Sequence, residues 1–105
     1  MKIEEFYEKL KTLGYEVAYD HFDEGEAPSL PYIIYRYPQS NNFSADGKAY
    51  FKIAELDVEI YTKYKDIELE EKVEKLLDEL EWFYNKTEDY IETEKMYEVL
   101  YEMEV

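Results

Sequence analysis

The long β-forming run Ala49–Tyr64, "AYFKIAELDVEIYTKY", constrains the possible folds of this chain more than any other feature. In its second half, apolar residues at positions 54, 56, 58 and 60 alternate with acids at positions 55, 57 and 59. Successive side chains of a strand point to opposite faces of a sheet. The run therefore predicts a strand with one buried face and one acidic face, which needs partner strands and a covering layer.

The first half of the same run has the opposite phase, because Phe51 and Ile53 occupy positions that the second half gives to acids. Two explanations stay open. Either a β-bulge lies near Ile53–Ala54, or the strand leaves the domain and exposes its other face to a partner.

Four further runs have strand character. Tyr32–Tyr37 is short, apolar and enclosed by prolines, which cannot donate a hydrogen bond within a central ladder. The others are Tyr15–Tyr19, Trp82–Ile91 and Lys95–Val105, with a turn near Glu92–Glu94 between the last two.

Two segments have helical periodicity. The first ends at Gly14, where a left-handed C-cap is expected, and its apolar stripe consists of Ile3, Phe6, Tyr7, Leu10 and Leu13. The second is Asp66–Glu81, with Asp66 as N-cap and a buried stripe of Leu69, Val73, Leu76, Leu77 and Leu80.

These elements predict a single α+β domain over residues 1–105. The order is α-β-β-β-α-β-β, and hairpin connections favour a mainly antiparallel sheet with both helices packed on one face. The loop between the second and third strands, Gln39–Lys48, is long: hairpin loops normally have about two to five residues, whereas this one has about ten polar positions around Phe43.

Charge and composition exclude several classes of function. The chain has 27 acids against 12 lysines and arginines, a formal net charge of −15, which disfavours binding to nucleic acid phosphates. The absence of cysteine excludes disulfides and thiolate sites. No apolar run approaches the roughly 18 residues of a membrane span, and the charged start "MKIEEFYEKLK" is unlike a signal peptide, so we expect a soluble, non-exported protein.

Catalytic and metal sites are not indicated. His21 is the only histidine, which excludes histidine triads and multi-histidine metal sites. The acids around it, in "YDHFDEGE", do not follow the spacing of a calcium-binding EF-hand loop and are interpreted as a solvated loop. The only arginine, Arg36, lies among tyrosines, which favours stacking on a ring, with an interface ion pair as the alternative. We expect no enzyme activity, no cofactor and no metal.

An ordered set of motifs between Leu30 and Glu104 resembles the tail-terminator (tail-completion) proteins of long-tailed bacteriophages and prophages. "LPYIIY" is followed by "NNFSADGKAYFK", by a strand ending "VEIYTKYKD", by a short leucine helix and by a closing "MYEVLYE" strand. The resemblance covers about three quarters of the chain, and the opening helix also fits it.

This resemblance implies a structural role in virion assembly. Members of the family form a ring, typically of about six copies, that caps the tail tube and joins the tail to the filled head. The implied partners are further copies of the chain, the tail tube protein and a head-side connector, in a virion neck assembled in the bacterial cytoplasm. The long loop then becomes the candidate contact, with Phe43 as apolar anchor. The candidate interface residues are Gln39, Asn41, Asn42, Phe43, Ser44, Asp46, Lys48, Tyr50 and Phe51.

Two other functions remain open. Small ring-forming proteins of the phage neck share this size and mode of assembly, so another neck or head-closure component is an alternative. The strong negative charge also suits an acidic DNA mimic that inhibits a nucleic-acid enzyme, although acids at the solvent positions of an amphipathic fold need no such explanation.

Overall fold

The computed structural model describes residues 3–23, 25–40, 43–45, 48–51 and 53–105; for Ile3 and for residues 43–45 and 48–51 it describes the backbone alone. The chain forms two helices, a five-stranded sheet and a separate two-stranded hairpin. The helices are α1 (Ile3–Lys11) and α2 (Ile67–Glu79), and the strands are β1 (Glu16–Tyr19), β2 (Tyr32–Arg36), β3 (Phe43–Ala45), β4 (Lys48–Phe51), β5 (Glu55–Thr62), β6 (Tyr84–Ile91) and β7 (Met96–Glu104).

Both predicted helix signals are confirmed. Gly14 follows α1 with a φ of +92°, a left-handed conformation that glycine adopts without steric cost. The Asp66 side chain accepts a hydrogen bond from the backbone N–H of Leu69 at 3.0 Å and caps the N-terminus of α2. Helix α2 ends two residues earlier than predicted, since Glu81 has a φ of +59° and has left the helix.

The five-stranded sheet has the spatial order β1-β2-β5-β7-β6. All neighbouring strands are antiparallel except β1 and β2, which pair in parallel. The predicted α+β class and mainly antiparallel sheet are therefore confirmed. The parallel pair was not predicted from the sequence. Hairpin connections predict antiparallel neighbours, whereas parallel strands are joined by a crossover segment.

The crossover from β1 to β2 lies on the sheet face opposite the helices, which we call the open face. The ring of Phe22, in this crossover, contacts the ring of Tyr32 at a centroid distance of 5.1 Å, and Tyr32 in turn contacts Tyr61 at 5.3 Å. Tyr32 and Tyr61 are paired across β2 and β5 on the open face, beside Ile34, which is 4% exposed. The crossover therefore covers one end of the open face.

The hydrophobic core lies between the two helices and the other face of the sheet. Cross-strand pairs place the core side chains of all central strands on that face; for example, Val58 lies opposite both Tyr35 and Tyr101. The buried cluster consists of Phe6, Leu10, Val17, Ile33, Tyr35, Leu56, Val58, Ile60, Leu69, Val73, Leu76, Leu77, Val99, Tyr101 and Met103. The prediction that both helices pack on one face is confirmed.

The predicted long strand Ala49–Tyr64 is in fact two strands in two sheets. β4 pairs with β3, whereas β5 lies in the centre of the five-stranded sheet. Ala54, at the junction, bridges Ser40 and exchanges backbone hydrogen bonds with Val105. The change of phase thus marks the point where the chain leaves the main sheet, and the long connection after β2 contains a small hairpin.

Candidate assembly surface

The hairpin of β3 and β4, which we call the arm, is anchored to the main sheet at its base. The backbone N–H of Glu55 donates to the Gln39 carbonyl at 2.9 Å, next to the bridge between Ser40 and Ala54. Within the arm, Phe43 lies opposite Phe51 and Ala45 opposite Lys48, with a shift of register after Phe43. Its strands are short and pair only with each other among the described strands.

The dimensions of the molecule are those of a domain with a projecting part. The principal extents are 48 × 28 × 23 Å, and the radius of gyration is 14.9 Å. A compact domain of this length has a radius of gyration of about 13 Å. In the described backbone, β3 and β4 are each other's main neighbours.

The candidate interface residues fall almost entirely on or beside the arm. Gln39 is exposed at its base. Asn41, Asn42 and Asp46 lie outside the described residues. The remaining five have their backbone in the strands of the arm, and their side chains lie outside the description: Phe43, Ser44, Lys48, Tyr50 and Phe51. The assignment of these residues to an interface stays a prediction.

Both edges of the main sheet pair on one side only among the described strands. β1 is short, and β6 is eight residues long and exposed over most of its length. β6 carries Lys86, Glu88 and Asp89 in its middle. Charges of this kind oppose uncontrolled pairing of sheet edges.

The edge strand β6 is held to α2 by a network of charged groups. Glu70, which is 3% exposed, contacts the ammonium groups of Lys65 at 2.8 Å and Lys86 at 2.7 Å. Glu74 accepts hydrogen bonds from Lys86 at 2.9 Å and from the Tyr101 hydroxyl at 2.8 Å. Burial raises the pKa of both carboxyls, but these hydrogen bonds outweigh it, so each pKa lies below its usual range.

On the open face, carboxylates accumulate at the end from which the arm projects. Glu55 lies opposite Glu104, and Asp57 lies opposite Glu102, in the pairing of β5 with β7. We call these four residues the acidic ladder. Arg36 on β2 extends the rung of Asp57 and Glu102 to a third strand, because it lies opposite Asp57.

In the described residues, Arg36 contacts carboxylates of its own chain and is not among the cations stacked on rings; an interface ion pair stays a prediction. Its guanidinium lies 3.8 Å from Asp20, 3.9 Å from Asp57 and 3.9 Å from Glu59, all within the same chain. Burial and the neighbouring Glu98 raise the pKa of Glu59, while the Tyr61 hydroxyl and Arg36 oppose the rise. A single cation is thus shared among three carboxylates at distances longer than a hydrogen bond.

The acids around His21 form local contacts. The Nδ1 atom of His21 lies 2.9 Å from Asp20, and its Nε2 atom lies 3.8 Å from Asp23, with all three side chains exposed. Glu24 lies outside the described residues. In the described part of the chain, one other group of carboxylates is close enough to share a metal ion, namely Glu55, Asp57 and Glu102.

Sequence reasoning missed the acidic ladder, although part of its signal was visible. Alternation places Glu55 and Asp57 on the polar face of one strand and Glu102 and Glu104 on the polar face of another. The alternation does not show that these two strands are neighbours, because their pairing joins residues 35 to 49 positions apart in sequence. Without that pairing, each strand is an ordinary amphipathic one.

No helix in the described residues is long and apolar enough to span a membrane. Comparison of the chain with models of known protein families and with curated proteins finds no match. The likeness to tail-terminator proteins therefore remains an interpretation of the ordered sequence motifs.

Proposed function

We propose that this protein is a non-enzymatic phage assembly protein, a tail terminator that forms a ring on the tail tube and joins the tail to the head. The observation that carries the proposal is the arm: a hairpin that forms a sheet of its own, separate from the five-stranded sheet, in a small domain. The strands of the arm pair with each other and not with a strand of the main sheet, among the strands that the structure describes.

A closed ring needs a contact between two different surfaces of neighbouring subunits. The arm supplies one surface, and a site elsewhere on the next subunit supplies the other. The charged middle of β6 makes edge-to-edge pairing of main sheets the weaker alternative. Contact through the arm also explains why Phe43 and Phe51 occur opposite each other in so polar a segment.

Assembly is tested by light scattering of the purified chain over a wide concentration range, with negative-stain microscopy of the largest species. We expect closed rings of about six subunits. Phe43→Ala, or deletion of residues 40–47, should weaken them, since either change removes apolar contact area from the arm. Tyr64→Ala is the matched control, because Tyr64 is 72% exposed and follows the opposite end of β5.

A chain that stays monomeric at all concentrations is next mixed with tail tubes assembled from the tube protein of the same genome. Capping of the tubes by the wild-type chain, and not by the arm deletion, supports a ring that forms only on its template. Rings unaffected by both arm variants, or failure to cap the tubes, contradicts the proposal. Binding to the head-side connector instead of the tube would indicate a different neck component.

An acidic DNA mimic is the second candidate, and the observation that favours it is the accumulation of acids on the open face. Part of this charge is not presented to solvent, because Asp57 is 5% exposed and Glu59 shares Arg36 and the Tyr61 hydroxyl. Competition of the purified chain with DNA for a restriction enzyme or polymerase would support mimicry.

A further inference from the structure

The acidic ladder places like charges where a sheet normally avoids them. Glu55 and Glu104 form one rung and Asp57 and Glu102 the next, on the same face of two paired strands. Like charges directly opposite each other in a sheet are destabilising. Among the described side chains, the two rungs concentrate negative charge on one part of the sheet, which a bound cation would offset.

We propose that this ladder is a binding site for a hard divalent cation, with Ca²⁺ as the best fit, held by carboxylate oxygens of Glu55, Asp57 and Glu102. One oxygen from each of these residues lies within 4.8 Å of the other two. Ca²⁺ binds oxygen at about 2.3–2.6 Å, so that two ligands on opposite sides of the ion are about 5 Å apart. The three oxygens therefore fit one Ca²⁺ coordination sphere without rearrangement of the backbone.

Mg²⁺ fits this group less well. Its oxygen ligands lie at about 2.0–2.1 Å, so opposite ligands are only about 4 Å apart, and it demands nearly ideal octahedral geometry. Side chains attached to two strands of a central sheet cannot move freely toward a smaller ion. The flexible coordination geometry of Ca²⁺ therefore suits carboxylates whose positions are set by two strands better than the strict octahedral geometry of Mg²⁺.

A second observation points to a ligand: Asp57 is a buried carboxylate with an unpaired oxygen. Its side chain is 7% exposed, and Oδ1 has no hydrogen-bond partner. Oδ2 is the oxygen that faces Arg36, at 3.9 Å, which exceeds hydrogen-bond distance. Burying an ionised oxygen without a partner is costly, and a metal ion coordinated by it would remove that cost.

Within the described residues, one basic side chain lies close to this group. Among the described basic side chains, Arg36 is the one within ion-pair distance of the group, and its Nε also lacks a hydrogen-bond partner. Three carboxylates against one distant guanidinium leave the group net negative.

There is room beside the group for the remaining ligands. An open cavity of about 420 Å³ is lined by Glu55, Glu102 and Glu104 and also by Asn85, which lies opposite Glu102 on β6. Ca²⁺ takes six to eight oxygen ligands, including amide oxygens and water. The Asn85 amide and water molecules in this cavity can complete the coordination.

The site is tested by titrating the chelator-treated full chain with CaCl₂ and with MgCl₂ in a calorimeter, and by thermal unfolding in millimolar CaCl₂ against NaCl of equal ionic strength. We expect saturable binding of one Ca²⁺ per chain, weaker binding of Mg²⁺ and a rise in Tm specific to the divalent ion. Asp57→Asn should reduce Ca²⁺ affinity about tenfold or more, because it removes the charge of the most buried ligand.

Asp57→Asn should fold, since it relieves repulsion while preserving shape, and its Tm without Ca²⁺ should equal or exceed that of the wild type. Glu102→Gln is a second variant with the same expected loss of binding. Asp89→Asn is the matched control: it removes the same charge from the open face, on β6 opposite Glu98, away from the group. The absence of saturable binding, or equal losses in Asp57→Asn and Asp89→Asn, would overturn the proposal. These readouts do not depend on whether the chain forms rings.

Discussion

At the scale of single residues, the buried carboxylates on the two faces of the sheet differ in the distance to their nearest cations. Glu70, between α2 and β6, is buried with two ammonium groups within 3 Å. Asp57, on the open face, is buried to a similar degree with one guanidinium at 3.9 Å. Each carboxylate has one buried oxygen without a hydrogen bond, Oε2 of Glu70 and Oδ1 of Asp57, but the cations lie about 1 Å closer to Glu70 than to Asp57.

Replacement of Glu70 by Gln should destabilise the fold by about 1–3 kcal/mol, because it leaves two lysines without their shared carboxylate. The free energy of unfolding is measured by urea denaturation at pH 7. Glu68→Gln on the same helix is the control: Glu68 is 81% exposed and pairs with Lys72 at 3.7 Å, so its loss should cost less than about 0.5 kcal/mol. Equal losses in the two variants would mean that the buried network adds nothing beyond a surface charge.

At the scale of elements, α2 is fixed by signals at both ends of the helix. Asp66 caps its first turn, and its buried stripe packs on the sheet. The two short strands of the arm pair only with each other in the described structure. An isolated two-stranded hairpin is at best marginally stable in water, so a contact with a neighbouring molecule suits it.

Removal of the α2 cap by Asp66→Ala should destabilise the protein by about 1 kcal/mol, because the N–H of Leu69 loses its acceptor. Asp66→Asn keeps a side-chain oxygen at the same position and should stay close to the wild type. Both are compared by urea denaturation. A loss in Asp66→Asn as large as that in Asp66→Ala would show that the negative charge, and not the hydrogen bond, stabilises the helix.

At the scale of the whole molecule, stability depends on pH through two groups of carboxyls with opposite pKa shifts. The pKa values of Asp57 and Glu59 are raised by burial and by neighbouring acids. Their ionised forms therefore destabilise the fold at neutral pH, and this effect disappears as the pH falls through their folded pKa values. The pKa values of Glu70 and Glu74 are lowered, so their stabilising effect is lost only when the pH falls below the ordinary value of 4.5.

We therefore expect Tm to rise as the pH is lowered from neutrality towards the ordinary carboxyl range, and to fall below about pH 4. Circular dichroism at constant ionic strength, without divalent cations, measures the profile. The rise should be smaller in Asp57→Asn, and the acid fall should be smaller in Glu70→Gln. A Tm that decreases continuously from pH 8 downwards would contradict the assignment of the raised pKa values.

The sequence by itself determined the local elements and the class of the fold. Gly14, Asp66 and the alternation over residues 54–60 act through neighbours in the chain, so their consequences can be derived without a structure. The same holds for the two amphipathic helices, because their apolar stripes must both be buried against one face of the sheet. The likeness to tail terminators also comes from the sequence and predicts a function that awaits the assembly experiment.

Only the tertiary structure decided how distant strands meet. The parallel pairing of β1 with β2, the separation of β4 from β5 and the pairing of β5 with β7 all join segments whose register depends on the whole fold. That last pairing brings Asp57 opposite Glu102 and creates the acidic ladder. The sequence specifies the charges, but the order of strands in the sheet sets the distance between them. That distance decides the interaction, because electrostatic energy depends on separation in space and not along the chain.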